Sequence, residues 1–251
     1  MPLKIDLHVH TTYSIDSTIK PEELALYGRK RRLDGVAVTD HDCLESALKI
    51  RKSIDFLILP GIEVSSLDGH IVGLNVQKAV PRGLTAEETV EKIHDSGGIA
   101  IACHPSSLFK GSGGGSRGRL GERVTSKFDA IEVINSSAIP FRYSVNRSEK
   151  LASKLSIARV AGSDAHYAPE IGFAYTAIDA KPNPDDMISA IKKGRCEPFG
   201  RGIPLTMRLK RHFLAFRKNN SSHAGSIVNH SCVRFKDQEH MVTVKQLIRR
   251  N

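Results

Sequence analysis

The sequence predicts an α/β fold that closes, or nearly closes, into a barrel. Short apolar runs of strand length alternate with helical patterns over residues 1–199. Such alternation predicts strand–helix–strand units with parallel strands. Roughly six to eight such units in about 200 residues suit a closed barrel. The pattern alone also fits an open doubly wound sheet, and of the two we favour the barrel.

Eight apolar runs are the predicted strands. They span residues 5–9, 35–39, 56–59, 71–76, 99–102, 130–134, 160–161 and 173–178. Helix starts are marked by N-terminal signals: Pro21 followed by two acids, a capping box that begins at Thr85, and an N-cap at Asn183 followed by Pro184. These signals predict three helices that begin near those residues.

The composition is typical of one globular domain with an appendage. The chain has 251 residues, of which 40% are apolar, enough for a sizeable core. Its four cysteines have no paired spacing, so they indicate neither a disulfide framework nor a CxxC zinc site. No stretch approaches the roughly 18 apolar residues of a membrane span. We expect a soluble cytoplasmic protein in a reducing compartment.

The net charge of +10 is unevenly distributed. From Gly200 onward there are 11 Lys and Arg residues and two acids, whereas residues 1–199 have 26 basic and 25 acidic residues. We expect a catalytic domain over residues 1–199 and a basic extension over 200–251 that is partly disordered. Residues 205–218 have the pattern of a basic amphipathic helix. That helix would dock on the barrel with solvated charges, or contact nucleic acid, an anionic membrane surface or a partner.

A low-complexity run of Gly and Ser spans residues 111–118. It lacks the Gly-Lys-Ser/Thr ending of a phosphate-binding loop, and we expect a flexible surface loop. The alternative is a mobile lid, because the run soon follows His104 and because Arg117 or Arg119 could reach a phosphate.

Side chains that can bind metal follow nearly every predicted strand. Alternation along the first strand places Asp6, His8 and His10 on one face. The others are Asp16, Asp40, His41, Asp42, Glu63, His70, His104, Glu132, Asn135, Asp164 and His166. Any one of these alone is more often a satisfied polar residue. Together they would bury several charged groups at one end of a sheet, which divalent cations would compensate. In barrels that end is also where catalytic groups collect.

On these motifs the chain resembles a known family over residues 3 to about 195. The motifs are His8-Val9-His10, Thr39-Asp40-His41-Asp42, Gly61-Ile62-Glu63-Val64-Ser65, His70-Ile71-Val72-Gly73-Leu74, His104-Pro105 and Gly162-Ser163-Asp164-Ala165-His166. They are similar to those of the PHP family, named for polymerase and histidinol phosphatase. The resemblance implies a distorted (β/α)7 barrel with two or three Mn, Fe or Zn ions, which hydrolyses phosphate esters by metal-activated hydroxide.

The resemblance also implies roles for the candidate residues. Ligands of the first ion would be His8, His10, Glu63 and Asp164. Glu63 would bridge to a second ion that also binds His104, and the third ion would take Asp16, His41 and His166. Glu63 and Asp164 are predicted catalytic carboxylates. Asp40 is the third predicted catalytic carboxylate. Asp40 and Asp42 would either orient neighbouring imidazoles or be solvated loop acids.

The chain departs from the family pattern on the strand after His104. Family members with a full trinuclear site have another His there, where this chain has Glu132 and Asn135. Asn is a weak ligand for transition metals. Either the second ion is held less tightly or His70 completes its ligands, and the sequence leaves both open.

Several functions agree with these motifs to different degrees. Residues 61–74 are more similar to family members that degrade nucleoside 3′,5′-bisphosphates and short 5′-phosphorylated RNA or DNA than to histidinol-phosphate phosphatases. We therefore expect nucleotide substrates of that kind. Histidinol phosphate or another small phosphate ester is the alternative. Arg142 and Arg147 would clamp a phosphate or be ordinary surface residues.

Two further classes of function fit less well. A non-catalytic scaffold subunit of an RNA-processing complex has no need for the full ligand set. A hydrolase of C–N bonds on a related barrel usually has a carboxylated Lys as the bridging ligand, whereas here that position falls to Glu63.

Overall fold

The structure of the protein, a computed structural model, describes residues 1–108 and 120–221. Strands β1 to β9 are Leu3–Val9, Gly35–Val38, Leu57–Ser65, His70–Leu74, Ile99–Ala102, Ala130–Asn135, Ala158–Gly162, Ala174–Ile178 and Cys196–Gly200. Helices α1 to α6 are Pro21–Lys30, Leu44–Ser53, Ala86–Asp95, Phe141–Leu155, Pro184–Lys192 and Leu205–Ser221. The predicted loop 111–118, with Arg117 and Arg119, lies outside the described residues, as does the extension beyond residue 221.

These strands form one sheet in the order β7-β6-β5-β4-β3-β2-β1-β8-β9. The pairs β1–β2, β2–β3, β5–β6 and β6–β7 are parallel, as the alternation predicts. The expectation of parallel strands is wrong for β4, which runs antiparallel to β3 and β5, and for β8 and β9. The short connection 66–69 explains β4, because a parallel crossover needs a dozen or more residues and a hairpin needs only a few.

The sheet curls until the ends of β1 and β7 meet. The Asp164 N–H donates to the His8 carbonyl at 2.8 Å, and the His10 N–H donates to the Ala165 carbonyl at 3.0 Å. A parallel bridge between Val9 and Ala165 continues the same contact. The sheet is therefore a nearly closed barrel, and the predicted barrel is confirmed.

Apolar faces of the helices pack on this sheet. Val90 and Ile93 of α3 and Ile50 of α2 are at most 2% exposed. Each such side chain contributes about 1.5–3 kcal/mol when it is fully buried. The predicted helix starts are also observed: α3 begins with a capping box at Thr85, and α5 begins after Asn183, whose side chain accepts from the Asp186 N–H. Burial and capping together fix the helices around the barrel.

Helix α6 docks on the barrel with its charged face inward. Arg208 is buried and Arg211 and Lys218 are half-buried, whereas Leu209 and Phe213 are 62% and 59% exposed. The expectation of solvated charges is wrong for these three cations, because the surface beneath them accepts their hydrogen bonds. Backbone carbonyls accept from Arg208 and Lys218, and the Ser137 hydroxyl and the Glu170 carboxylate accept from Arg211. Within residues 1–108 and 120–221, no helix has both the length and the apolar character needed to cross a bilayer.

Candidate metal centre

Two histidines, one in β1 and one directly after it, begin the site. His8 and His10 are almost fully buried, and their Nε2 atoms lie 3.1 Å apart. They share a face because alternate side chains of a strand point the same way. Both ring edges therefore converge on one point.

Glu63 of β3 is the centre of the cluster and is 1% exposed. Backbone pairing decides which residues meet it: a bridge joins His41 to Glu63, and the β3–β4 hairpin pairs Ser65 with His70. Five ring nitrogens surround the carboxylate. They belong to His8, His10 and His41, at 3.5, 3.2 and 3.0 Å from Oε2, and to His70 and His104, at 2.9 and 3.2 Å from Oε1.

Two aspartates complete the cluster. Asp164 Oδ1 lies 3.6 and 3.4 Å from the Nε2 atoms of His8 and His10. Asp16, in the loop after β1, lies 3.6 Å from His41 Nε2 and 3.3 Å from His166 Nε2. The structure thus brings together all the predicted metal ligands, although their binding of metal stays a prediction.

Two of these residues have strained backbones. His104 and Asp164 have φ angles of 34° and 53°, a region that residues other than Gly rarely adopt. Such a conformation costs about 1–3 kcal/mol and is often found at functional sites. The His104 N–H donates to Glu132 Oε2 at 2.9 Å, and the Asp164 N–H donates to the His8 carbonyl. These hydrogen bonds hold both turns.

Glu132 and Asn135 of β6 hold the predicted ligands in place. Glu132 Oε1 lies 3.1 Å from His8 Nδ1, on the side of the ring opposite the cluster. Asn135 Nδ2 donates to Glu132 Oε2 at 2.8 Å and to Asp164 Oδ2 at 3.3 Å. A carboxylate that binds the far nitrogen of an imidazole fixes its tautomer and orientation. The side chains of β6 therefore orient predicted ligands, on the strand where the family pattern has another His.

The carboxylate of Asp40 lies behind His10, on the side away from the cluster. Its carboxylate accepts from the Thr11 N–H and hydroxyl, both at 2.7 Å, and from the Ser14 hydroxyl at 2.8 Å. Ser14 Oγ lies in turn 3.1 Å from His10 Nδ1. Asp40 is fully buried, so the alternative of a solvated loop acid is wrong for this residue. The half-buried Asp42 accepts from a backbone N–H of β3.

Cys103 was not among the sequence candidates, although it lies in the cluster. Its Sγ is 3.4 Å from Glu63 Oε1 and donates to the His70 carbonyl at 3.0 Å. With Glu63 and His104 it forms one set of three potential ligand atoms. A paired-cysteine search does not detect it, and its only signal in the sequence is that it precedes His104.

Burial and neighbouring charges together set the pKa values of the clustered histidines. Burial lowers the pKa of His8, but the carboxylates of Asp164, Glu132 and Glu63 outweigh burial and raise it well above its usual value. In the same way, neighbouring carboxylates overcome burial and raise the pKa of His41, His104 and His166. Burial and the repulsion of His166 and His41 lower the pKa of His10.

Two observations indicate that the residues of the cluster suit divalent metal ions. Among the described residues, four sets of three ligand atoms lie within 4.8 Å of one another: His10, His41 and His166; His8, His10 and Glu63; His41, Glu63 and His70; and Glu63, Cys103 and His104. Glu63 Oε2 and Asp16 Oδ1 are buried, yet none of the described groups makes an aligned hydrogen bond to them. Cations would satisfy these oxygens, and His with carboxylate ligands suits Zn, Fe and Mn.

The two arginines suggested as a phosphate clamp lie elsewhere. Arg142 and Arg147 are exposed on α4, and Arg147 Nη1 donates to the Tyr143 hydroxyl at 3.0 Å. No described contact joins either residue to the cluster, which agrees with the surface alternative.

Family comparisons match the chain in two segments. The PHP domain matches residues 6–93, and the PHP-associated domain matches residues 143–196. An uncharacterized protein of Methanocaldococcus jannaschii is 33% identical over 147 residues, which are 53% of this chain and 82% of that protein. The 5′-3′ exoribonuclease Rnm of Salmonella typhimurium is 36% identical over 95 residues, which are 34% of this chain and 32% of the exoribonuclease.

A solved structure shares the fold. It is a two-domain protein from Bacteroides vulgatus that contains a predicted PHP-like metal-dependent phosphoesterase. The TM-score is 0.65 at 15% sequence identity, over 80% of this chain and 65% of the other. The barrel of this chain is therefore of the same kind.

Proposed function

The chain belongs to the PHP family of metal-dependent phosphoesterases, and we propose that it hydrolyses nucleoside 3′,5′-bisphosphates or short 5′-phosphorylated oligonucleotides. The observation that carries the proposal is the set of imidazoles and carboxylates around Glu63, whose Oε2 has no aligned hydrogen bond from a described group. A structural core would not leave such an oxygen beside three ring nitrogens, because an unsatisfied buried charge is costly.

Two or three divalent ions, of Mn, Fe or Zn, are the cofactors in this proposal. The first would be held by His8, His10, Glu63 and Asp164, a second by Glu63 and His104 with His70 or Cys103, and a third by Asp16, His41 and His166. When bound, they supply positive charge for the phosphate oxygens and acidify water.

The chain's own residues prepare that site. Glu132 holds His8, and Asp40 acts on His10 through Ser14, so both imidazoles keep their Nε2 atoms toward the centre. Nearly complete burial of His8, His10 and Glu63 excludes water from that side and strengthens electrostatic interactions. Exposure of His41 and His104, at 21% and 26% of the side chain, leaves the other side open to a substrate.

The substrate class rests on similarity to the exoribonuclease, whose matched segment of 95 residues covers one part of that enzyme. Phosphate release from a panel of esters tests it. The panel contains a nucleoside 3′,5′-bisphosphate, a 5′-phosphorylated oligonucleotide, histidinol phosphate and an aryl phosphate, each with Mn-loaded protein and with EDTA. We expect chelator-sensitive turnover of the two nucleotide substrates. A preference for histidinol phosphate would contradict the proposed substrate.

Variants test the site itself. Glu63→Gln and Asp164→Asn should abolish turnover, while Asp179→Asn, which changes an exposed carboxylate on the barrel surface, should leave it unchanged. Full activity in Glu63→Gln or Asp164→Asn would contradict the proposed centre. If metal binds but no ester is turned over, the chain is better explained as a non-catalytic scaffold.

A further inference from the structure

Helix α6 is anchored to the loop that follows β6. The buried Arg208 donates three hydrogen bonds to backbone carbonyls: from Nε to Ile203 at 3.0 Å, and from Nη1 and Nη2 to Ser137 and Ser136, both at 2.8 Å. All three guanidinium nitrogens are used in this way. Arg208 therefore positions the helix and has no free edge for a ligand.

The far end of α6 is anchored to the loop that follows β1. Lys218 Nζ donates to the carbonyls of Ser17 at 2.7 Å and Ser14 at 3.2 Å, close in sequence to the predicted ligand Asp16. Residues 208 and 218 are about 15 Å apart along a helix. The helix thus runs along the rim of the cluster, from the loop after β6 to the loop after β1.

Between these anchors, Arg211 lies next to the metal centre. Its Nη1 donates to Ser137 Oγ at 3.0 Å and to Glu170 Oε2 at 3.4 Å. Ser137 Oγ donates to the carbonyl of Asp164 at 3.1 Å, and Glu170 Oε2 accepts from the N–H of His166 at 3.1 Å. One oxygen atom therefore separates Arg211 from the backbone of each of two predicted ligands.

Arg211 differs from Arg208 in what its other nitrogens do. None of the described residues accepts a hydrogen bond from its Nε or Nη2, although the side chain is only 11% exposed. Nη1 is already occupied, so the guanidinium is fixed in orientation with its Nε–Nη2 edge available. That edge offers two parallel N–H donors, which match two oxygens of one phosphate group.

We propose that Arg211 binds the phosphate group of the substrate through Nε and Nη2, beside Asp164 and His166. This inference rests on the proposed function and adds a substrate-binding residue from α6. A helix that lies outside both matched family segments, 6–93 and 143–196, thus forms part of the active site. A phosphate monoester, which has more charged oxygens than a diester, benefits most from such a contact.

The test measures binding of inorganic phosphate to the Mn-loaded full chain by calorimetry, with metal content and Tm measured on the same samples. Arg211→Gln should weaken phosphate binding about 10- to 100-fold, the range for a charge-assisted hydrogen bond, with metal content unchanged. Arg217→Gln is the matched control, because Arg217 is exposed on the same helix, and it should bind phosphate normally.

Arg211→Lys separates binding from support of the His166 loop. Lys keeps the charge that pairs with Glu170 but lacks the two-donor edge, so metal content and Tm should stay normal while phosphate affinity falls less than in Arg211→Gln. On a nucleoside 3′,5′-bisphosphate, Arg211→Gln should raise KM by a similar factor of about 10 to 100. If phosphate affinity stays normal, or falls only in proportion to metal lost in both variants, the assignment is overturned.

Failure of the proposed function gives a different result. A wild-type protein that turns over none of the esters but binds phosphate in an Arg211-dependent way would contradict the function and support the binding residue. Normal turnover of nucleotides with an unchanged KM in Arg211→Gln would support the function and overturn the residue.

Discussion

Glu132 Oε1 lies 3.1 Å from His8 Nδ1, and this contact fixes which nitrogen of His8 faces the metal centre. The same carboxylate accepts from the backbone N–H of His104 through its other oxygen. One side chain of β6 thus orients two predicted ligands, one in β1 and one in the segment directly after β5.

Glu132→Gln should therefore weaken metal binding without removing a ligand. Loss of a carboxylate that orients a ligating His typically lowers metal affinity about 10- to 100-fold. Competition with a chelator measures it, and Glu197→Gln, at an exposed position on β9, is the control. Unchanged affinity in Glu132→Gln would show that His8 needs no such partner.

Gly162→Ala should destabilise the barrel next to the site. A Cβ at Gly162 would lie 2.4 Å from the Cβ of His8 and 2.7 Å from Glu132 Oε1, closer than such atoms approach in proteins. Overpacking of this kind costs about 1–3 kcal/mol. We expect a lower Tm and weaker metal binding, measured on the same protein. A variant with wild-type values of both would mean that β1 and β7 can separate there at no cost.

Metal binding should release protons near pH 7. Neighbouring carboxylates raise the pKa of His8, His41, His104 and His166 despite their burial, so without an ion these imidazoles keep protons to a higher pH than a free imidazole does. An ion binds only deprotonated nitrogen, and its apparent affinity should therefore rise with pH. Calorimetry in buffers of different ionisation enthalpy counts the protons. Proton uptake, or an affinity independent of pH, would contradict the prediction.

Asp6 should make the protein less stable as the pH rises from about 4 to 6. Burial raises its pKa from 3.8 to about 6, although the N–H groups of Ser163, Gly172 and His8 donate to it. In that window the folded chain keeps a proton that the unfolded chain loses, so stability falls with pH, by about 3 kcal/mol in all.

Asp6→Asn removes this titration. Between pH 4 and pH 7, the wild type should lose about 3 kcal/mol of unfolding free energy relative to Asp6→Asn. Denaturant unfolding of both proteins at each pH measures this difference. The absolute stability of the variant should be lower, because an amide accepts fewer hydrogen bonds from the three N–H groups. A pH-independent difference would contradict the buried titration of Asp6.

Much of the barrel and the centre could be predicted from local sequence. Strand and helix positions follow from apolar periodicity and from caps such as Thr85 and Asn183, which act within a few residues. His8 and His10 share a face because of strand alternation alone. Cys103 could not be found this way, because its approach to Glu63 depends on how β5 lies beside β4 and β3 in the curled sheet.

The sequence by itself determined the alternating elements, the family motifs and the side chains that can bind metal, because these depend on residue type and short spacing. Only the tertiary structure decided the reversal of β4, the roles of Glu132 and Asp40 behind the imidazoles, and the inward face of α6. Local pattern predicts a basic amphipathic helix with its charges in water. The carbonyls of Ser136 and Ser137 that bind Arg208, and that of Ser17 that binds Lys218, come from loops far away in sequence, and folding alone brings them together.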